Sequence, residues 1–168
     1  MISRIMPSRV PPLRFPSYKD NWHPYKLDFA ATKIQDGTHF SPKVLEVGNY
    51  RYITSKNIRN GHMRLVDTQF LSDDEHRNIY KRCDVKYGDV LITKDGASTG
   101  NVCINDIREE ISLLSSVAFI RANEDVSTNE YIYQYLTTPF GQKEVQSVIS
   151  GQAITRITLT KLRNFEFW

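Results

Sequence analysis

The stretch Tyr87-Gly-Asp-Val-Leu-Ile-Thr-Lys-Asp-Gly-Ala-Ser-Thr-Gly-Asn-Val-Cys-Ile104 decides the reading of the fold. Gly88-Asp89 reads as a turn, and Val90 to Thr93 as a short strand of the buried type. Lys94 to Gly100 is a polar loop, and Asn101 to Ile104 resumes an extended course. The unit is therefore strand, loop, strand. Its glycines, Gly96 and Gly100, would let backbone N–H groups approach an anion. A P-loop is excluded, because Lys94 precedes the glycines and no helix follows. The plain alternative is a tight connection between two strands.

Upstream, Ser72-Asp-Asp-Glu75 has capping-box spacing and predicts a helix from Asp73 to Arg82. Acidic residues in its first turn and Lys81-Arg82 in its last suit the helix dipole, which accounts for the acidic cluster. Tyr50 to Thr54 alternates as a strand does, with Tyr50 or Tyr52 expected in the core. Asp36-Gly37 and Asn60-Gly61 mark turns. Val10 to Pro16 carries three prolines and cannot be helix. Residues 1–20 are expected to form an arm on a domain spanning 21–168, anchored by burial of Leu13, Phe15, Trp22, Leu27 and Phe29.

Downstream, Ser116 to Arg121 is a further strand. Ser127-Thr-Asn-Glu130 is a second capping box, and Ile132, Leu136 and Phe140 continue at helical spacing. Thr138-Pro139 caps and starts another helix, which Ser150-Gly151 closes. Ile154 to Leu159 reads as a last strand. Strands dominate the first two-thirds and helices cluster late, so the class is α+β rather than a βαβ alternation. The expected architecture is a twisted mixed sheet flanked by helices.

The 168 residues suit one ordinary domain, and 40% hydrophobic content allows a real core. No apolar run approaches the roughly 18 residues of a membrane span. Met1 to Phe15 is basic and Pro-rich without the apolar segment of a secretory signal. Cys83 and Cys103 stand alone and read as free thiols of a reducing cytoplasm. The histidines, His23, His39, His62 and His76, have no metal-ligand spacing, so neither metal nor cofactor is expected. There is no GxSxG, no methylase motif and no dinucleotide fingerprint, which argues against an enzyme. The net charge is +3 but uneven: residues 1–64 carry 11 Lys/Arg against 4 Asp/Glu, and residues 65–130 carry 7 against 13. A basic first third suits a nucleic-acid partner.

The order of the motifs adds a resemblance. Pro12-Leu-Arg-Phe-Pro16 with Trp22 and Lys26-Leu27 resembles the start of type I restriction-modification specificity subunits. Asp36-Gly-Thr-His39 with Pro42 is similar to their early DGTH segment. Tyr52 to Ile58 with Asn60-Gly61 resembles the next strand, and Gly88-Asp-Val-Leu-Ile92 with Gly96 and Thr99-Gly100-Asn101 the central GDxL…G…G element. Gly151 to Phe167 is similar to the closing element. The match runs through nearly the whole chain in order.

The resemblance implies a single target-recognition domain that reads a half-site of double-stranded DNA without catalysing a reaction. Its implied partners are the methyltransferase and restriction subunits of a type I system, in the cytoplasm of a bacterium or archaeon. Family members usually continue past this point with a long spacer helix. Its absence here is expected to mean a truncated, split or excised subunit. Thr38, His39 and Lys43 follow the first turn and are candidate DNA contacts, as are Arg51, Lys56, Asn57 and Arg59 around the second strand. Lys94, Ser98, Thr99 and Asn101 in the glycine loop, and Gln152, Thr155 and Arg156 in the late loop, complete the set. Gln can pair with adenine and Arg with guanine or phosphate. An alternative is a protein-interaction fragment that binds a methyltransferase subunit without reading DNA.

Overall fold

The computed structural model describes residues 14–149 and 155–168. In chain order its strands are β1 (Tyr25–Lys26), β2 (Ala31–Asp36), β3 (Val44–Leu45), β4 (Tyr50–Ile53), β5 (Ile58–Arg59), β6 (His62–Met63), β7 (Gln69–Leu71), β8 (Val90–Thr93), β9 (Val102–Ile104), β10 (Ile111–Leu113), β11 (Val117–Ala122) and β12 (Glu166–Phe167). The helices are α1 (Leu27–Ala30), α2 (Asp73–Tyr80), α3 (Asn129–Thr137), α4 (Pro139–Val148) and α5 (Leu159–Arg163).

The class is α+β. One sheet, in the order β2-β11-β8-β9, is antiparallel throughout. A second, β10-β4-β7-β3, is mixed: β10 runs parallel to β4, and the other pairs are antiparallel. The antiparallel sheet is the middle layer. Val90, Ile92, Ala118 and Ile120 pack on one side with Ile132 and Leu136 of α3, Val145 of α4 and Leu162 of α5. Leu91, Val117 and Phe119 pack on the other with Ile53 of β4, Leu113 of β10 and Ile79 of α2. Successive side chains of a strand point to opposite faces. Both faces are buried here, so the strands read as unbroken apolar runs.

The helix starts follow side-chain chemistry. Ser72 caps α2 by accepting from the Glu75 amide. The reciprocal half of the expected box is missing, because the Glu75 carboxylate instead accepts from the Lys43 amide at 3.3 Å. The helix ends at Tyr80, two residues short of the expected Arg82. The cap of α3 is Thr128, not Ser127: Thr128 accepts from the Tyr131 amide at 3.1 Å. Asn129 is turned back onto the Ala122 amide at 2.8 Å, which fixes the frame one residue later. Thr138 accepts from the Gly141 amide with Pro139 in the first turn of α4, as its sequence predicts.

Two expectations need correction. Thr155 to Thr158 form no strand: Arg156 makes one isolated bridge to Asp95, and Thr158 already caps α5 by accepting from the Lys161 amide. Ser150, Gly151 and Ile154 lie outside the described residues. Of the proposed arm anchors only Leu27 is buried, while Phe15, Trp22 and Phe29 are exposed and Leu13 is outside the described residues. Phe29 stacks on Tyr25 at the surface, with ring centroids 5.4 Å apart. What closes this end is pairing of β1 with β12, together with the Leu27 amide on the Phe165 carbonyl at 2.8 Å.

Both cysteines are free and buried, and burial pushes each thiol up to about 12. Among the described residues no helix is long and apolar enough to cross a membrane, and the longest helix, α4, has ten residues.

Candidate nucleic-acid interface

The ends of β2, β4 and β8 meet at one edge of the two sheets, and the turn Leu114-Ser115-Ser116 between β10 and β11 stitches them together. Thr38, just past β2, donates its amide to the Leu113 carbonyl and accepts from the Ser115 amide, both at 2.8 Å. The Leu114 amide reaches the Ile53 carbonyl of β4 at 2.9 Å, and the Ser116 carbonyl takes the Lys94 amide at 2.8 Å. The Ser116 hydroxyl accepts from the Ser55 amide at 3.2 Å. Gly37 is required by this approach: a Cβ there would lie 1.9 Å from the Leu113 carbonyl oxygen.

A chain of alternating charges runs along the edge. Arg156 Nε donates to Asp95 at 2.7 Å, and Lys94 Nζ donates to the other Asp95 oxygen at 2.7 Å. Lys94 also lies 3.7 Å from Asp36, which holds His39 Nε2 at 3.0 Å and Arg82 at 3.5 Å. Burial is graded along the chain. The side chains of Asp36, Lys94 and Asp95 are 3%, 7% and 15% exposed, whereas those of Arg82, Arg156 and His39 are 51%, 59% and 63% exposed. The acids and Lys94 sit inside, and the other basic partners face outward. Buried carboxylates thus fix the orientation of an outward-facing basic rim, and charge-assisted bonds of this kind are the stronger ones.

Most candidate residues converge on this edge, but in different capacities. Lys94 is a buried strut rather than a surface cation, because two carboxylates take its ammonium group. Thr38 and Asn57 are buried and hold backbone in place. Thr99 and Thr155 bond each other at 3.2 Å, and Thr155 also donates to the Gly96 carbonyl at 2.6 Å. Asn101 donates to the Ile58 carbonyl at 3.2 Å, which ties the glycine loop to β5. Ser98 is half-buried in that loop, Arg59 is half-buried beside it, and Lys56 is exposed.

Four amides of the glycine loop are taken up within the protein. The amides of Gly96, Thr99, Gly100 and Asn101 donate to the carbonyls of Thr155, Gly96, Thr93 and Ser98. Gly100 has φ +94°, and a Cβ there would press to 3.1 Å on Val145 of α4. The loop is thus a tight connection locked against α4 and the late segment.

Lys43 and Arg51 lie off the edge. Lys43 is exposed and meets Glu75 of α2 through its backbone amide. The Arg51 guanidinium sits 5.7 Å from the Phe70 ring centroid, on the other face of β4 from Tyr52. Gln152 lies outside the described residues. Asp36, Arg82, Asp95 and Ser116 were missed by sequence reasoning. Asp36 reads as a turn residue and Arg82 as a dipole partner, and nothing local signals that they meet. Among the described residues no group of His, Cys, Asp and Glu could hold a metal ion.

A family model described as the type I restriction modification DNA specificity domain matches residues 19–167. No curated protein matches the chain. Among solved structures, the S subunit of a type I restriction-modification system from M. genitalium is similar, with TM-score 0.60 and 15% identity over 87% of this chain and 33% of that one. The HsdS subunit from Thermoanaerobacter tengcongensis gives TM-score 0.61 and 18% identity over 95% of this chain and 35% of that one. A chain from a structure of complex assembly and conformational transition in the type I system gives 0.62 and 17% over 98% and 37%. This chain therefore spans about a third of the length of these structures, and at such identities the likeness is one of fold.

Proposed function

The chain belongs to the family of type I restriction-modification DNA specificity domains, and from that premise we propose that it reads one half-site of a double-stranded DNA target without catalysing a reaction. The observation that carries this reading is the outward-facing basic rim of Arg82, Arg156 and His39, held by the buried carboxylates of Asp36 and Asp95. Pre-oriented guanidinium and imidazole groups suit a duplex, because phosphate contacts give affinity and register while base-edge contacts give sequence preference. Lys56 is exposed beside the rim and takes a phosphate role. Arg156 takes a base edge or a phosphate, and Thr38, Asn57, Thr99, Asn101 and Thr155 serve by shaping the edge. The boundary between an arm at 1–20 and the recognition domain at 21–168 belongs to the same proposal.

Methyltransferase and restriction subunits are the proposed partners, on the strength of family membership and of the assembly structure to which the fold is similar. An exposed aromatic surface with Trp22 and the stacked pair Tyr25 and Phe29 favours a protein contact away from the rim.

The test is selection from a random duplex library with the purified chain, followed by salt titration on the enriched duplex. A defined sequence should emerge. Lys56→Ala should weaken binding to all sequences and reduce the salt slope by about 1. Arg156→Ala should relax preference at one base position or lower the salt slope in the same way. A library that shows no enrichment, together with stable capture of a methyltransferase subunit, would overturn the DNA reading in favour of a protein-interaction fragment.

A further inference from the structure

Beside the rim, the loop from Arg64 to Thr68 and the start of β7 bound a cleft of about 630 Å³. Pro42, Val44 and Lys56 also line it. The loop is held from within. Asn57 Nδ2 donates to the Arg64 carbonyl at 3.0 Å and to the Thr68 hydroxyl at 3.3 Å, and the Arg64 amide returns to the Asn57 carbonyl at 2.8 Å. The Thr68 hydroxyl donates to the Leu65 carbonyl at 2.7 Å. These bonds lie on the inner side of the loop, while Arg64, Val66 and Gln69 are exposed at the cleft. Asp67 adopts φ 61°, a left-handed conformation uncommon for a residue other than glycine. Such conformations persist where surrounding structure over-determines them, and they concentrate at functional sites.

Tyr52 adds a second sign. It lines the cleft directly across the strand pair from Gln69, and its hydroxyl is buried with no hydrogen-bond partner among the described residues. Buried polar groups of this kind are rare in folded proteins, and each calls for an explanation. Burial, with the nearby Glu75 charge, pushes this phenol up to about 12, so the hydroxyl stays a donor at neutral pH.

We propose that this cleft is a second base-reading element, in which Gln69 and Arg64 read base edges in the major groove and Val66 packs against a thymine methyl group. The residue types suit base reading, since Gln pairs with adenine, Arg with guanine, and small apolar groups with the methyl of thymine. The Tyr52 hydroxyl is closed to solvent in the free chain, and an acceptor, direct or through a bridging water, satisfies it when the cleft wall gives way to a seated duplex. The cleft is continuous with the rim through Ser55, whose amide meets the Ser116 hydroxyl that belongs to the rim's own scaffold. Lys56 and Arg64 bring two cations to its lining against one acid, Asp67, and this balance favours a nucleic acid over a basic or neutral protein surface.

The inference rests on the reading of the chain as a duplex reader, and the experiment separates the two. The full chain and its variants R64A, Q69A, Y52F and R156A are each passed through random-duplex selection. R64A and Q69A are expected to relax preference by roughly 5- to 150-fold at base positions distinct from any affected by R156A. Y52F keeps the ring, so it should melt no lower than the parent chain while altering preference at a position that Q69A also alters. If R64A and Q69A lower affinity equally for every duplex, the loop touches only phosphates and the inference fails. If they leave duplex preference intact and weaken capture of a methyltransferase subunit, the cleft takes a protein and the inference fails. A parent chain that selects no sequence overturns the proposed function itself. A parent chain that selects one, with R64A and Q69A unchanged, overturns this inference alone.

Discussion

In the antiparallel sheet, β8 buries all four of its residues, whereas in the mixed sheet the edge strand β3 leaves Val44 and Leu45 exposed. The first sheet is packed on both faces, against α3, α4 and α5 on one side and the mixed sheet on the other. The second also buries both faces of β10 and the adjacent residues Tyr52 and Ile53 of β4, but its β3 border is open, and Val44 of that border lines the cleft beside the loop from Arg64 to Thr68. The difference is a division of labour. Burial on two faces fixes the ends of β2 and β8 in space, and those ends carry the charge chain. An open edge leaves side chains to meet a ligand. Loops carry recognition on a rigid scaffold for this reason.

The widest contrast should appear in stability. Phe119 is fully buried in the middle layer, and Phe119→Ala should cost about 3–5 kcal/mol. Val47, just past β3, is 83% exposed, and Val47→Ala should change stability by less than about 0.5 kcal/mol. Urea denaturation of both variants measures the gap. Equal losses would mean that the two sheets do not differ in the way described.

Lys94 sits where the two roles meet. Lys94→Met leaves Asp36 and Asp95 buried with a charge less to balance them, and breaking a buried pair costs about 3 kcal/mol or more. The low end applies here, because Arg82 remains beside Asp36 and Arg156 beside Asp95. Arg82→Ala, at the exposed end of the same chain, should cost under about 1 kcal/mol of stability while weakening DNA binding. Thermal melting read alongside duplex affinity separates the strut from the rim. If Lys94→Met leaves the melting temperature unchanged and abolishes binding, Lys94 is a DNA contact after all.

Two glycines of the edge sharpen the comparison at smaller scale. Gly37→Ala drives a Cβ onto the Leu113 carbonyl oxygen at 1.9 Å, so the stitched turn must move. Overpacking of this kind costs about 1–3 kcal/mol. Gly96 has φ +99° with open space around a Cβ, so Gly96→Ala should cost only the left-handed strain, about 1 kcal/mol. Denaturation midpoints rank the two, and the reverse order would show that the edge is loosely joined.

What was legible in the sequence follows the same division. The apolar runs within Val90–Thr93 and Ser116–Arg121 announced strands β8 and β11, because burial on both faces leaves no polar alternation to misread. Thr138-Pro139 announced the start of α4, because capping is local chemistry. A mixed sheet was expected, but the pairing that makes it mixed was hidden, because β10 runs parallel to β4 and joins Ile111–Leu113 to Arg51–Ile53 across a long stretch of chain. The charge chain was hidden likewise: Asp36, Arg82, Lys94 and Arg156 are far apart in sequence and meet only in the fold. The burial of Lys94 between Asp36 and Asp95 could not be read from the loop that carries it.

The helix caps give the finest test, because one belongs to each side of the molecule. Thr138 accepts from the Gly141 amide at 3.0 Å and donates to the Tyr135 carbonyl at 2.8 Å, so it serves the end of α3 and the start of α4 together. Gly141 leaves no room for rearrangement, since a Cβ there would lie 2.0 Å from the Tyr135 carbonyl oxygen. Thr138→Ala should therefore cost about 1–2 kcal/mol, the upper part of the range for a cap. Ser72 holds the Glu75 amide at 3.4 Å only, without the reciprocal bond from Glu75. Ser72→Ala should cost about 0.5 kcal/mol, because water replaces a long bond at an exposed end. Denaturant melts of the two variants measure the difference. Thr138 is expected to be the costlier by a factor of two or more, because the Gly141 amide and Tyr135 carbonyl that it bonds belong to buried residues, where a lost bond is less readily made good by solvent.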